Sequence, residues 1–127
     1  MGTLRSETMI QPQKKFRIPT AEIRTLIPDM GACFASDLVT VDGLKIGYMY
    51  REQPRQKLFS GWRFMAGVET PEYADNPDNW AIFEVNTVCN YDQAIIPYLD
   101  APCGQAFVRI AGTDQFQQKR FSQGLRP

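Results

Sequence analysis

The chain has 127 residues with 14 basic and 14 acidic side chains, 43% of it is apolar and 12% aromatic, and this length suits one domain with a buried core. It contains no histidine, which excludes Ser-His and Cys-His nucleophilic mechanisms, His-ligated zinc and the usual general base near neutral pH. No apolar run approaches the roughly 20 residues of a membrane helix, and no leader pattern suggests secretion. Three cysteines, Cys33, Cys89 and Cys103, are odd in number and never spaced C-x-x-C, which argues against a disulfide framework or a zinc site and fits a reducing cytoplasm.

In chain order, residues 1–15 are polar and aperiodic and read as a loose tail. They begin with a short match to the myristoylation pattern of the kind that arises by chance. Thr20 is placed to cap a helix over Ala21 to Leu26, with Ile23, Leu26 and Ile27 on one face and Pro28 as its stop. Cys33 to Ser36 and Leu38 to Val41 are rich in strand formers, and Asp42-Gly43 between Val41 and Leu44 predicts a tight hairpin turn. Lys45 to Arg51 is then the return strand. Glu52 to Lys57 is a charged loop, and Gly61 to Met65 a third strand.

Thr70-Pro71-Glu72-Tyr73 joins a capping hydroxyl, proline at the first helical position and an acid in the first turn, a helix that Asn76-Pro77 must end. Trp80 to Val85 reads as a strand, expected to be central, and Asn86 to Asn90 is ambiguous. Asp92 can cap a short helix from Gln93 to Leu99. Asp100 to Gly104 is a turn, and Ala106 to Ile110 the last expected strand. Residues 113–127 read as a polar, basic tail, leaving 16–112 as the domain. Hairpins and short helices without β-α alternation predict an α+β fold with a mainly antiparallel sheet.

Charge is the least even feature. Phe64 to Val108 holds seven carboxylates, Glu69, Glu72, Asp75, Asp78, Glu84, Asp92 and Asp100, and no Lys or Arg. A neutral chain with one acidic block has a polarised surface, which suits a charged partner. Calcium binding by Asp75, Asn76, Asp78 and Asn79 fails the helix-loop-helix pattern, because Trp80 stands where glycine is needed. Glu69 and Glu72 could form an acid-base pair, but nothing else in the sequence locates a substrate, and Cys103 lacks a histidine to activate it. The acids would repel phosphates, which counts against nucleic acid as a partner. An acidic surface with aromatic anchors instead suits a basic protein surface, such as a nuclease groove. The residues expected at that contact are Trp62, Glu69, Glu72, Tyr73, Asp75, Asp78 and Asn79.

Several blocks resemble a bacterial immunity-protein family associated with polymorphic, contact-delivered toxins and long catalogued as a domain of unknown function. They include Gly31-Ala32-Cys33-Phe34-Ala35-Ser36-Asp37, Val41-Asp42-Gly43-Leu44 and Ile46-Gly47-Tyr48-Met49-Tyr50-Arg51-Glu52. Further on come Ser60-Gly61-Trp62-Arg63-Phe64, Glu72-Tyr73, Asp75-Asn76-Pro77, Asn90-Tyr91-Asp92 and Ala101-Pro102-Cys103-Gly104. The likeness runs from about Phe16 to Arg109, and departs at Met65, where a second aromatic is expected, and at Cys103, where an aliphatic residue is. It implies a small intracellular α+β protein that binds and neutralises a cognate toxin, without enzymatic activity; no cofactor is expected, and with the charge pattern, the apolar runs and the cysteines read above, neither a nucleic-acid nor a membrane partner, and a cytoplasmic location. The rival readings are a small carboxylate-using enzyme or ligand-binding domain, and a regulatory adaptor.

Overall fold

The computed structural model describes residues 14–120, which form a six-stranded sheet with short helices. The strands are β1 (Ala32–Ser36), β2 (Tyr48–Arg51), β3 (Phe59–Met65), β4 (Trp80–Glu84), β5 (Gln105–Arg109) and β6 (Phe116–Arg120). Their order is β4-β1-β3-β2-β5-β6, and every neighbouring pair is antiparallel except β1 with β3. This is the α+β class that the sequence predicts.

One face of the sheet holds the core. Alternate residues Cys33 and Ala35, Trp62 and Phe64, Met49, and Phe107 are buried there. The helix α3 (Val85–Tyr91) adds Val85, Val88 and Cys89, and the 3-10 segment Gln93–Tyr98 adds Ile95. The Trp62 and Phe64 rings stack at 5.7 Å, and the Trp62 indole N–H donates to the Leu99 carbonyl at 3.2 Å. A buried tryptophan needs such a partner for its one polar atom.

The second predicted strand, Leu38 to Val41, is instead helical: α1 spans Asp37–Thr40. Its β-branched residues favour a strand in isolation, but the Ser36 hydroxyl caps the Leu38 N–H at 3.1 Å and Asp37 sits in the first turn. Val39 and Thr40 bury themselves, and tertiary packing overrides propensity. The expected Asp42-Gly43 hairpin is therefore a helix end. Gly43 takes φ 81° and Leu44 N–H returns to the Leu38 carbonyl at 2.9 Å. A left-handed residue is required in either setting, so the dipeptide alone does not choose between them. β1 and β2 consequently do not pair, and β3 lies between them.

Four other expectations change. The helix over Ala21 to Leu26 shrinks to one 3-10 turn, Thr20–Glu22, without a side-chain cap. The amides it would use are taken elsewhere: Asn90 Oδ1 accepts from Arg24 N–H at 2.9 Å, and Asn86 Oδ1 from Leu26 and Ile27 at 2.7 and 3.1 Å. The ambiguous Asn86 to Asn90 is the helix that supplies those side chains. The strand from Trp80 lies at the sheet's edge rather than its centre. The chain after residue 113 is no tail through Arg120, because β6 pairs with β5 and Phe116 is buried. Residues 1–13 of the expected N-terminal tail, and 121–127, lie outside the described residues.

Candidate protein-docking face

The face of the sheet opposite the core points Phe34 from β1, Phe59 and Arg63 from β3, and Trp80 and Ile82 from β4 outward, by the strict alternation of side chains. A solvated sheet face usually reads polar. This one is aromatic, and Ile82 is 58% exposed. Phe34 stacks on Phe59 at 5.4 Å. The Arg63 guanidinium lies 4.5 Å from the Phe34 ring centre and 5.8 Å from that of Trp80, and pairs with Glu52 at 2.7 Å. Arg63 is thus fixed by two ring faces and one carboxylate, a pre-ordered polar group amid apolar surface.

Two hollows adjoin on Phe34 and Arg63. One, of about 340 Å³, continues to Phe59, Glu52 and the loop residues Pro54 to Gln56. The other, of about 560 Å³, continues to Trp80, Ile82, Ala74, Asp75 and Pro77. The helix α2 (Pro71–Asp75) closes the end of the face. Its Thr70 cap accepts from Tyr73 N–H at 3.1 Å, as the Thr-Pro-Glu-Tyr signal predicts. The Trp80 indole donates to the Ala74 carbonyl at 3.0 Å.

The residues expected from the sequence to meet a partner are divided by this geometry. Trp62 is a correction: its side chain is fully buried on the core face, because strand alternation turns it away from its neighbour Arg63. Glu69 is bound within the chain, its carboxylate accepting the Ala66 and Gly67 N–H groups at 2.8 Å each. That removes the Glu69–Glu72 acid-base arrangement. Asn79 donates to the Tyr73 carbonyl at 3.0 Å. Tyr73 is half-buried, and burial pushes its phenol pKa up; the Ser36 side chain opposes this, while Asp37, Asp42 and Glu69 reinforce it. Glu72, Asp75 and Asp78 are exposed around α2.

The acidic block is not one surface. Asp92 is buried in an ion pair with Arg109, and Asp100 lies in the turn after Tyr98, remote in the chain from α2. Conversely, Asp37 and Asp42 come from outside the block yet act on Tyr73. Their approach depends on α1 being a helix, whose Ser36-Asp37 start is outweighed in the sequence by the strand formers that follow. Phe34 and Ile82 were likewise missed, since a strand pattern does not say which face stays uncovered. Among the described residues there is no cluster of three or more Cys, Asp or Glu placed to hold a metal. No helix among them is long and apolar enough to cross a membrane.

The described residues thus form a small α+β domain with a partly exposed aromatic sheet face that no other described element covers, beside the exposed carboxylates of α2. Residues 33–120 match the family described as Immunity protein Imm33 domain, and with that span the chain belongs to the Imm33 immunity proteins, a membership that implies toxin neutralisation. No curated protein and no solved structure matches it.

Proposed function

We propose that the protein neutralises a cognate bacterial toxin by forming a stoichiometric complex in the cytoplasm, and that Glu72, Asp75 and Asp78 around α2 face a basic region of that toxin. Membership of the immunity family carries the first part. The second is supported by the exposure of these three carboxylates beside aromatic surface. Opposed charges steer encounter and suppress wrong partners, so an acidic rim gives speed and selectivity more than raw affinity. A nuclease, whose substrate groove is basic, is the toxin type that this rim fits best. Inhibition needs only that the complex outlast the toxin's encounter with its target, and no catalytic group is required.

The test is co-expression with the toxin domain encoded beside this chain's gene. The wild-type chain is expected to restore growth and to co-purify with an inactivated toxin at one to one. Absence of both rescue and complex at micromolar concentration would refute the reading; a regulatory adaptor would give no rescue. Charge reversal at Asp75 and Asp78 is expected to slow association about 10-fold at low salt and to flatten its salt dependence. An unchanged association rate would remove the acidic rim from the interface while leaving neutralisation intact.

A further inference from the structure

We infer that the toxin seats on the sheet face that no described element covers, with an apolar side chain entering the hollow between Phe34, Trp80 and Ile82 and flanking basic residues meeting Asp75 and its acidic neighbours. This rests on the neutralisation reading and adds where the complex forms and what the contacting toxin segment looks like. The hollow lies on the face opposite the core. Its walls are two aromatic rings and an isoleucine that is 58% exposed. Ile82 stands in water and the Phe34 and Trp80 rings beside it are only partly buried, a continuous apolar patch of the kind that a partner completes.

The residue types agree. Interface energy concentrates in Trp, Tyr and Arg side chains seated in desolvated pockets. Arg63 meets that description before any partner arrives, because Phe34, Trp80 and Glu52 already hold it, and little conformational freedom is left to lose on binding. Its charge is answered within the chain by Glu52. The carboxylate at the mouth of the hollow beside Trp80 and Ile82 is Asp75, with Asp78 just beyond Pro77 and Glu72 one turn earlier on α2. The charge available to an incoming segment is negative there, which selects lysine or arginine next to the apolar anchor.

A second copy of the chain fits less well. A two-fold interface matches a patch with itself, so one centred on this hollow would bring Asp75 against Asp75 and α2 against α2. Like charges facing each other across an interface are costly. The toxin, not a twin, is therefore the occupant.

Ile82→Glu and Ile82→Arg test the inference, because this side chain is exposed on an edge strand and carries little of the fold. Binding of the full-length variants to the inactivated toxin domain encoded beside the gene is measured by calorimetry, with thermal melts to establish folding. Ile82→Glu is expected to weaken binding at least about 30-fold, the loss typical of a hot-spot residue. Ile82→Arg should weaken it further, since it sets a cation against a basic segment. Ile110→Glu, an exposed apolar residue after β5, should bind like wild type. Should either Ile82 variant fail to fold, Asp75→Arg at the mouth of the same hollow takes its place and is expected to lose about 10-fold.

Wild-type affinity in both Ile82 variants would overturn the inference while the neutralisation reading stood. So would Ile82→Glu binding more weakly than Ile82→Arg, which would make the segment acidic. Light scattering adds a third decisive outcome: a wild-type dimer that Ile82→Glu separates, with toxin binding unchanged, would assign the face to self-association. If the wild-type chain neither binds the toxin nor protects cells, the neutralisation reading fails first and the inference falls with it.

Discussion

Asp92 and Arg109 form the most deeply buried ion pair among the described residues, with side chains 8% and 10% exposed. The Asp92 carboxylate also accepts from Ile46 N–H at 3.0 Å and Ala94 N–H at 3.2 Å, and Arg109 donates to the Ile46 carbonyl at 2.8 Å. Three chain segments thus meet at one carboxylate. Removing it leaves a buried guanidinium and two backbone amides without their acceptor, so Asp92→Ala is expected to cost about 3 kcal/mol in chemical denaturation. The exposed Asp114, 3.0 Å from Arg109, moderates that loss without replacing the buried partner.

The cysteines give a second test at this scale. Burial raises the Cys33 thiol pKa strongly, with Cys89 adding to it, and burial pushes Cys89 up to about 11. Only Cys103 is exposed, so one thiol per native molecule should react promptly with a thiol reagent. Both buried thiols are neutral in the fold and ionise more readily when unfolded. Their contribution is therefore complete below about pH 8.5, the unfolded value, and is lost as pH rises from there through about 11 for Cys89. Denaturation midpoints between those limits should fall in wild type, and less in a Cys89→Ala variant.

At the scale of elements, β3 is the strand that the others are arranged around, with β1 parallel on one side and β2 antiparallel on the other. Its pairing with β1 shifts between Ala32 and Phe34, and Gly61, opposite this irregularity, takes φ 92°. A Cβ there would stand 2.1 Å from the Glu52 carbonyl oxygen. Gly61→Ala is therefore expected to destabilise by at least about 3 kcal/mol, through a strained φ and a backbone clash together. β6 is tested by Phe116→Ala. The Phe116 ring packs 5.2 Å from Tyr98 and lies 4.8 Å from the Arg109 guanidinium, and its amide donates to the Tyr98 hydroxyl at 3.1 Å. A loss of about 3 kcal/mol is expected on thermal or urea unfolding, whereas a residue in a loose tail would show none.

Over the whole molecule the formal charge is zero, yet it is unevenly spread. Exposed acids stand around α2, while exposed Arg55 and Lys57 lie in the loop before β3, beside the other hollow. A basic toxin approaching the sheet face would be attracted by one rim and repelled by the other. Reversing both charges, Arg55→Glu with Lys57→Glu, is accordingly expected to speed association several-fold at low salt and hardly at all near 0.5 M, where screening shortens to roughly 4 Å. Stopped-flow rates over a salt series measure this directly.

Much of the local structure was written in the sequence. Thr70-Pro71 starts a helix, Asn76-Pro77 ends it, and the alternation around Trp62 and Phe64 makes a strand, because caps, proline and period-two burial act over a few residues. The absence of histidine and the resemblance of the central blocks likewise pointed to a binding protein of the immunity class before any fold was known. Position in the sheet was decided only in three dimensions. Whether Asp42-Gly43 turned a hairpin or ended a helix depended on β3 inserting beside β1. Whether Trp80 to Glu84 lay at the centre or the edge depended on which strand crossed over. Long-range pairing also sorted the seven carboxylates, burying Asp92, tying Glu69 to backbone amides and leaving Glu72, Asp75 and Asp78 in water. A charge count along the chain detects the block, but only packing determines which of its members a partner can reach.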